Sequence, residues 1–161
     1  MQTPALNVAI ALALAIASSS ASATANVSYI HPEAMTDVPR HYKDRESMEY
    51  VFTQHLSQLS EKLPAGQVLT VEFLDIDLAG DVFPRVPVRD IRVTKGQADW
   101  PRMRLRYRIE QDGQLIRSGE QELSDPNYQM GSNRYQQELY GYEKTMLDTW
   151  FRKEILAANR Q

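Results

Sequence analysis

A row of alternating arginines is the first feature of this sequence whose residue types and spacing suit a chemical task. Because alternate residues of a β-strand share a face, their four guanidinium groups would stand about 6.8 Å apart in a line. Such a line suits anion binding, but it is also typical of a solvated sheet face whose arginines pair with carboxylates. The arginines are Arg102, Arg104, Arg106 and Arg108.

The Asp112-Gly113 pair that follows predicts a β-hairpin, and the length of its loop decides which side chains face each other. With a loop of two residues, Arg108 would face Arg117, and like charges opposite each other destabilise a sheet. A loop of three residues, with Gly113 in the left-handed conformation, avoids this repulsion. The sequence therefore favours the three-residue loop.

The favoured register would pair two arginines with acids of the opposite strand, Arg104 with Glu120 and Arg102 with Glu122. Each such pair stabilises a sheet by about 0.2–1 kcal/mol. The two arginines left without a partner are then the main candidates for holding an anionic ligand. These are Arg106 and Arg108, with Arg104 and Arg102 in support.

Three aspartates close together form the second candidate site. Asp75 and Asp77 alternate on one face of a predicted strand, and Asp81 follows just after a glycine. Several carboxylate oxygens can hold a cation such as calcium, and paired carboxylates can share a proton in acid–base catalysis. The alternative is an exposed strand end whose carboxylates pair with the arginine-rich segment.

The rest of the sequence indicates no catalytic or cofactor motif, and we predict no cofactor. His31, His41 and His55 lack the spacing of a metal-binding pair, and neither a G-x-S-x-G segment nor a glycine-rich phosphate loop is present. The absence of cysteine excludes disulfides, thiolate-bound metals and a cysteine nucleophile. A net charge of -3 argues against a nucleic-acid-binding protein.

The first 25 residues carry no charged side chain, and residues 8–17 are an unbroken apolar run. The small residues that follow suit cleavage by a signal peptidase after Ala23 or Ala25. The run is too short to span a bilayer, which takes about 20 residues. We therefore predict a signal peptide over 1–25 and a single domain over 26–161 without a membrane span. Because secreted domains without cysteine are typical of bacteria, we expect a periplasmic location.

Two segments have the apolar spacing of amphipathic helices. The first covers residues 48–63, and Asp44 or Ser47 is placed to cap its start. The second begins near Arg134, or after Gly141, and ends at Ala158.

Alternating apolar residues predict several strands. In one of them Phe73 and Leu74 are adjacent and both apolar, and a β-bulge there would return the apolar side chains to a single face. The order of elements predicts an α+β fold, an antiparallel sheet of about four to five strands with two helices packed on one face. The predicted strands are 27–30, 67–78, 88–94, 102–110 and 114–123.

Four blocks stand out in the mature segment: residues 75–80 (DIDLAG), 99–102 (DWPR), 125–128 (DPNY) and 142–151 (YEKTMLDTWF). Together they resemble an uncharacterised bacterial family, domain of unknown function 3016. The resemblance implies a signal peptide and an envelope location. It implies no known activity, ligand or catalytic residue.

Two hypotheses about function follow. The first is an exported, non-catalytic binding or interaction module of the cell envelope, whose partner is another envelope protein or an anionic ligand. The alternative is a metal-dependent hydrolase, or a calcium-stabilised module, built on Asp75, Asp77 and Asp81. The two differ in geometry, because a metal site needs all three carboxylates to converge.

Overall fold

The computed structural model of the protein describes residues 22–83, 91–96 and 98–157. It has an α+β fold, as predicted. Its strands and longer helices are, in chain order, β1 Thr24–Tyr29, α1 Tyr42–Ser60, β2 Gln67–Asp77, β3 Asp81–Phe83, β4 Ile91–Val93, β5 Arg102–Gln111, β6 Gln114–Ser124 and α2 Gly141–Trp150.

The main sheet has four strands in the order β1-β2-β5-β6. The prediction of an antiparallel sheet is wrong for one pair, because β1 runs parallel to β2, with Thr24 beside Val68 and Tyr29 beside Phe73. The pairs β2–β5 and β5–β6 are antiparallel, so the sheet is mixed. Parallel neighbours need a crossover connection, and α1 supplies it between β1 and β2.

The first strand begins at Thr24, three residues earlier than predicted. β3 and β4 form a separate two-stranded antiparallel sheet. Of the strand predicted over 88–94, residues 91–93 form β4, and residues 84–90 lie outside the described part of the chain.

Helix α1 begins at Tyr42, and its N-cap residue, His41, makes no side-chain capping hydrogen bond. The predicted caps, Asp44 and Ser47, are therefore wrong. Asp44 lies instead in the first turn, where the helix dipole favours a carboxylate. The periodicity of the helix is confirmed, because side chains along one stripe, among them Met48 and Phe52, are fully buried.

The predicted β-bulge in β2 is confirmed. The pairing of β2 with β5 skips one residue between Phe73 and Asp75, so Leu74 is the extra residue. Phe73 and Ile76 on either side of it are both 0% exposed, and Leu74 is half-buried on the opposite face of the sheet.

The hairpin turn has two residues, so the predicted three-residue loop is wrong. Asp112 and Gly113 have φ angles of 52° and 75°, the left-handed conformation that a type I′ turn requires at both positions. Gln111 consequently lies opposite Gln114.

A second bulge, at Ile116, then shifts the register of the hairpin by one residue. The shift places Leu123 opposite Met103, and both side chains are buried in the core. On the outer face it places Arg104 opposite Glu122. Burial of Leu123 thus accounts for a register that the turn alone does not give.

Helix α2 begins at Gly141, the second of the two predicted starts. Tyr140 has a φ of 57°, a left-handed conformation, so a helix that began near Arg134 could not continue through this residue. Gly141 packs so closely against the carbonyl of Tyr135 that a Cβ atom would overlap it. The helix continues as a π-helical segment, Phe151–Leu156, and the predicted end at Ala158 lies outside the described residues.

Buried side chains from the main sheet and from both helices form one hydrophobic cluster. The rings of Tyr107 and Trp150, for example, meet edge to face with their centroids 5.7 Å apart and join β5 to α2. Over the described ranges, no helix combines the length and the apolar character that crossing a membrane requires.

Candidate functional site

The arginines of β5 point away from the core, as the alternation predicted. Arg102, Arg104, Arg106 and Arg108 are exposed, whereas the residues between them are buried. We call this surface the arginine face. Its electrostatic character depends on which carboxylates of β2 and β6 reach each guanidinium group.

The two arginines expected to be free are paired, so this part of the prediction is wrong. Arg106 contacts Glu72 of β2 at 3.1 Å and Glu120 of β6 at 3.5 Å. Arg108 contacts Glu110 at 2.9 Å. The register of the hairpin causes the change. The two-residue turn and the bulge at Ile116 each shift it by one residue from the prediction, and together they place Glu120 opposite Arg106 instead of Arg104.

Arg104 is the arginine of this face that makes no ion pair with any described residue. Asp75 and Glu122 are its neighbours in the strand register. Asp75, however, accepts hydrogen bonds from the backbone N–H and the hydroxyl of Thr36, at 2.7 and 2.8 Å. Arg104 is therefore an exposed arginine for which no ion pair is formed with any described residue.

Two shallow concavities lie on either side of Arg104. The first has a volume of about 310 Å³, and its floor is apolar because Leu74, the extra residue of the bulge, lies there beside Ile30 and Ala34. The second has a volume of about 400 Å³ and is acidic, with Asp75, Asp77 and Glu122 in its wall. Arg104 is shared by both, whereas Arg106 and Glu120 line the first alone.

The three aspartates do not converge as the candidate cation site requires. Asp77 pairs with Arg102 at 3.0 Å, Asp81 pairs with Lys95, and Asp75 is held by Thr36. No group of three histidine, aspartate or glutamate side chains in the described ranges could hold a metal ion. The geometry therefore does not support a metal centre at these residues.

A buried His–Asp contact joins the two helices. His55 of α1 is 4% exposed, and its Nε2 atom lies 2.9 Å from Oδ1 of Asp148 in α2, without the alignment of a hydrogen bond. The other oxygen of Asp148 accepts a hydrogen bond from the Tyr135 hydroxyl at 3.0 Å and pairs with Arg134. Burial lowers the pKa of His55, and the nearby Asp148 carboxylate only partly offsets this effect.

Sequence analysis missed this pair because the two residues are far apart in the chain and neither belongs to a motif. Among the other histidines, His31 and His41 are exposed and lie near Glu33 and Asp44. Their contacts involve neighbours in the chain and give no sign of a catalytic arrangement.

A second buried carboxylate holds the turn after β2. Glu143 of α2 is 2% exposed, and its Oε1 atom accepts a hydrogen bond from the backbone N–H of Ala79 at 2.8 Å. Burial raises the pKa of Glu143. Arg92 of β4 closes the same turn from outside, because it pairs with Asp37 at 2.6 Å and donates to the carbonyl of Gly80.

The four sequence blocks quoted above meet at this end of the sheet. Glu143 links the last block to the first, as described. The hydroxyl of Tyr128 donates to Asp99 at 2.8 Å, and the Tyr128 ring meets Tyr142 edge to face at 4.6 Å. Burial, together with the bond to Asp99, raises the pKa of Tyr128 to about 12. These contacts tie the elements together, so the blocks contribute to the stability of the fold.

Fold and surface together define a small α+β domain whose sheet carries an arginine-rich polar face. The chain belongs to the family described as Protein of unknown function (DUF3016), whose model matches residues 23–153, and this confirms the resemblance. A search of curated proteins found no match. Among solved structures, the chain is similar to a dodecamer of a PelC variant from Paraburkholderia phytofirmans. The identity is 11%, the comparison covers 82% of this chain and 89% of that chain, and the TM-score is 0.34.

Proposed function

We propose that the protein is exported to the periplasm and serves there as a binding module of the cell envelope. The apolar run at residues 8–17 and the small residues after it support export. The start of β1 at Thr24, directly after the first predicted cleavage site, agrees with a mature chain that begins there. The absence of cysteine suits a bacterial envelope protein.

We further propose that the arginine face is the binding surface and that both helices cover the other face of the sheet. The single hydrophobic cluster shared by the sheet and both helices supports this arrangement. It leaves the outer side of β2, β5 and β6 open to a ligand.

The observation that carries the proposal is the guanidinium group of Arg104, which makes no ion pair with the described residues around it. An anion bound there gains charge-assisted hydrogen bonds without displacing a carboxylate. An anion bound at Arg106 would have to compete with Glu72 and Glu120. Arg104 is therefore the primary ligand residue, and Arg106 and Arg108 are not.

The test is an NMR titration of the isotope-labelled mature protein with acetate and with inorganic phosphate at low ionic strength. We expect shifts of backbone amides around Arg104 in β2 and β5, and their loss in Arg104→Gln. The matched control is Arg108→Gln, because Arg108 lies on the same strand face but is paired with Glu110. If no anion shifts these amides, or if both variants respond alike, the proposal is wrong.

A protein partner is the second candidate, and a specific surface favours it. Phe83 of β3 and Val93 of β4 are 47% and 43% exposed, and they lie on the same face of the small sheet, where they form an apolar patch. Apolar side chains clustered at a surface are typical of interaction sites. A photo-crosslinking residue at Phe83 should then give one discrete product in cells, whereas the same residue at the isolated, exposed Tyr50 of α1 should give none.

A further inference from the structure

We infer, resting on the proposed anion-binding function, that the concavity between Leu74 and Arg104 takes a small monocarboxylate attached to an apolar group. Arg104 would bind the carboxylate, and the floor made by Ile30, Ala34 and Leu74 would receive the apolar group. The inference names the ligand class, which the proposed function leaves open.

The first argument is the position of Leu74. Thr70 and Glu72, the alternate residues that precede it on this face of β2, are polar, whereas Leu74 is apolar. Leu74 is the extra residue of the bulge and lies beside Ile30, which is 40% exposed. Bulges often re-aim a side chain next to a functional site. Covering this apolar floor with a ligand removes apolar surface from water, which favours binding.

The second argument is the charge around Arg104. One guanidinium group that makes no ion pair within the described ranges matches one negative charge, and its parallel N–H donors fit the two oxygens of a carboxylate. Glu120 in the same wall would repel a second negative charge. A polyanion is therefore disfavoured, and a monoanion is favoured.

The third argument is the difference in charge between the two concavities. Asp75, Asp77 and Glu122 line the second one, and they outnumber its two arginines, Arg102 and Arg104. An anion is repelled from that side. In the first concavity Arg104 and Arg106 face a single lining carboxylate, Glu120. The carboxylate of the ligand would therefore approach Arg104 from the side of Leu74.

Two kinds of molecule carry a carboxylate next to an apolar group. One is a free short-chain fatty acid, and the other is a peptide whose C-terminal residue has an apolar side chain. Both present a carboxylate next to a small hydrocarbon group. A volume of about 310 Å³ suits a group of this size and excludes a long acyl chain from full burial. Hexanoate and N-acetyl-leucine represent the two sources.

The experiment measures the Kd of the mature protein for hexanoate, N-acetyl-leucine, N-acetyl-leucine amide and acetate. We expect hexanoate or N-acetyl-leucine to bind at least tenfold more tightly than both acetate and the uncharged amide, and the tighter of the two identifies the source. Arg104→Gln should abolish this preference for the carboxylate. Leu74→Asn, or Ile30→Ser if that variant is unfolded, should reduce binding to the level of acetate, and Arg108→Gln should change nothing.

Two results would overturn the inference. If acetate binds at Arg104 as tightly as hexanoate and N-acetyl-leucine, the surface binds anions but has no apolar subsite, and the proposed function stands alone. If the amide binds as tightly as N-acetyl-leucine and no anion binds at Arg104, both the inference and the proposed function are wrong. Circular dichroism of each variant verifies that it is folded.

Discussion

Acidification is expected to destabilise the protein through His55. This side chain is 4% exposed, lies between α1 and α2, and has Asp148 at 2.9 Å as its closest charged neighbour. Lys144 opposes protonation, and Arg134 and Tyr135 already engage the other oxygen of Asp148. Because burial is the dominant effect, the folded protein keeps His55 neutral at a pH where the unfolded chain protonates it.

The sign and the size of the effect follow from proton linkage. A histidine whose pKa is lowered on folding takes up its proton more readily when unfolded, so stability falls as the pH drops below the ordinary value of 6.5. The loss per group cannot exceed about 1.4 kcal/mol for each pH unit. Between pH 6.5 and pH 5 the contribution of His55 is therefore at most about 2 kcal/mol.

The assay is urea unfolding of the wild type and of His55→Gln at several pH values from 7.5 to 5. The variant loses the titrating group, so the free energy of unfolding should fall more steeply with acidification in the wild type. Taking the difference removes the contributions of groups common to both proteins, including the buried Glu143. His41→Gln is the control, because that histidine is 70% exposed. A wild-type-minus-variant difference that stays constant over this range, or grows on acidification, would refute the reasoning.

Two further outcomes are expected. Gly141→Ala should lower the free energy of unfolding by about 1–3 kcal/mol, because its Cβ atom would overlap the Tyr135 carbonyl. Gly131→Ala is the control, since no atom lies within 4 Å of the added Cβ, and equal urea midpoints for the two variants would contradict the assignment. If the proposed signal peptide is removed, the protein purified after expression of the full sequence should begin at Thr24, because β1 pairs with β2 from that residue onward. Intact-protein mass spectrometry identifies the first residue from the mass of the chain, and a mass that corresponds to a chain beginning at Asn26 would contradict the prediction.

The bulge in β2 shows what a local pattern can reveal. Two adjacent apolar residues, Phe73 and Leu74, cannot both face the core of a regularly alternating strand, so the irregularity is visible in the sequence. The bulge at Ile116 in β6 has no such signal. It depends on the burial of Leu123 opposite Met103, and that contact exists only once the hairpin packs on the core.

For the arginine face, too, the sequence predicts the local geometry but not the contacts with distant segments. Its four arginines and their common orientation follow from the alternation of β5. Their partners do not, because Glu72 reaches Arg106 from β2 and Thr36 occupies Asp75 from the loop before α1. Sequence reasoning therefore placed the four arginines on one exposed face and left Arg106 and Arg108 unpaired, whereas Arg104 is the one without an ion pair to any described residue.

The sequence by itself determined the α+β class, the periodicity of α1, the hairpin, the bulge at Leu74 and the family resemblance. These depend on backbone geometry and on residues near one another in the chain. Only the tertiary structure decided the parallel pairing of β1, the register of the hairpin and the contact of His55 with Asp148. The physical reason is that each joins distant segments, whose relative positions are set by the packing of the shared core.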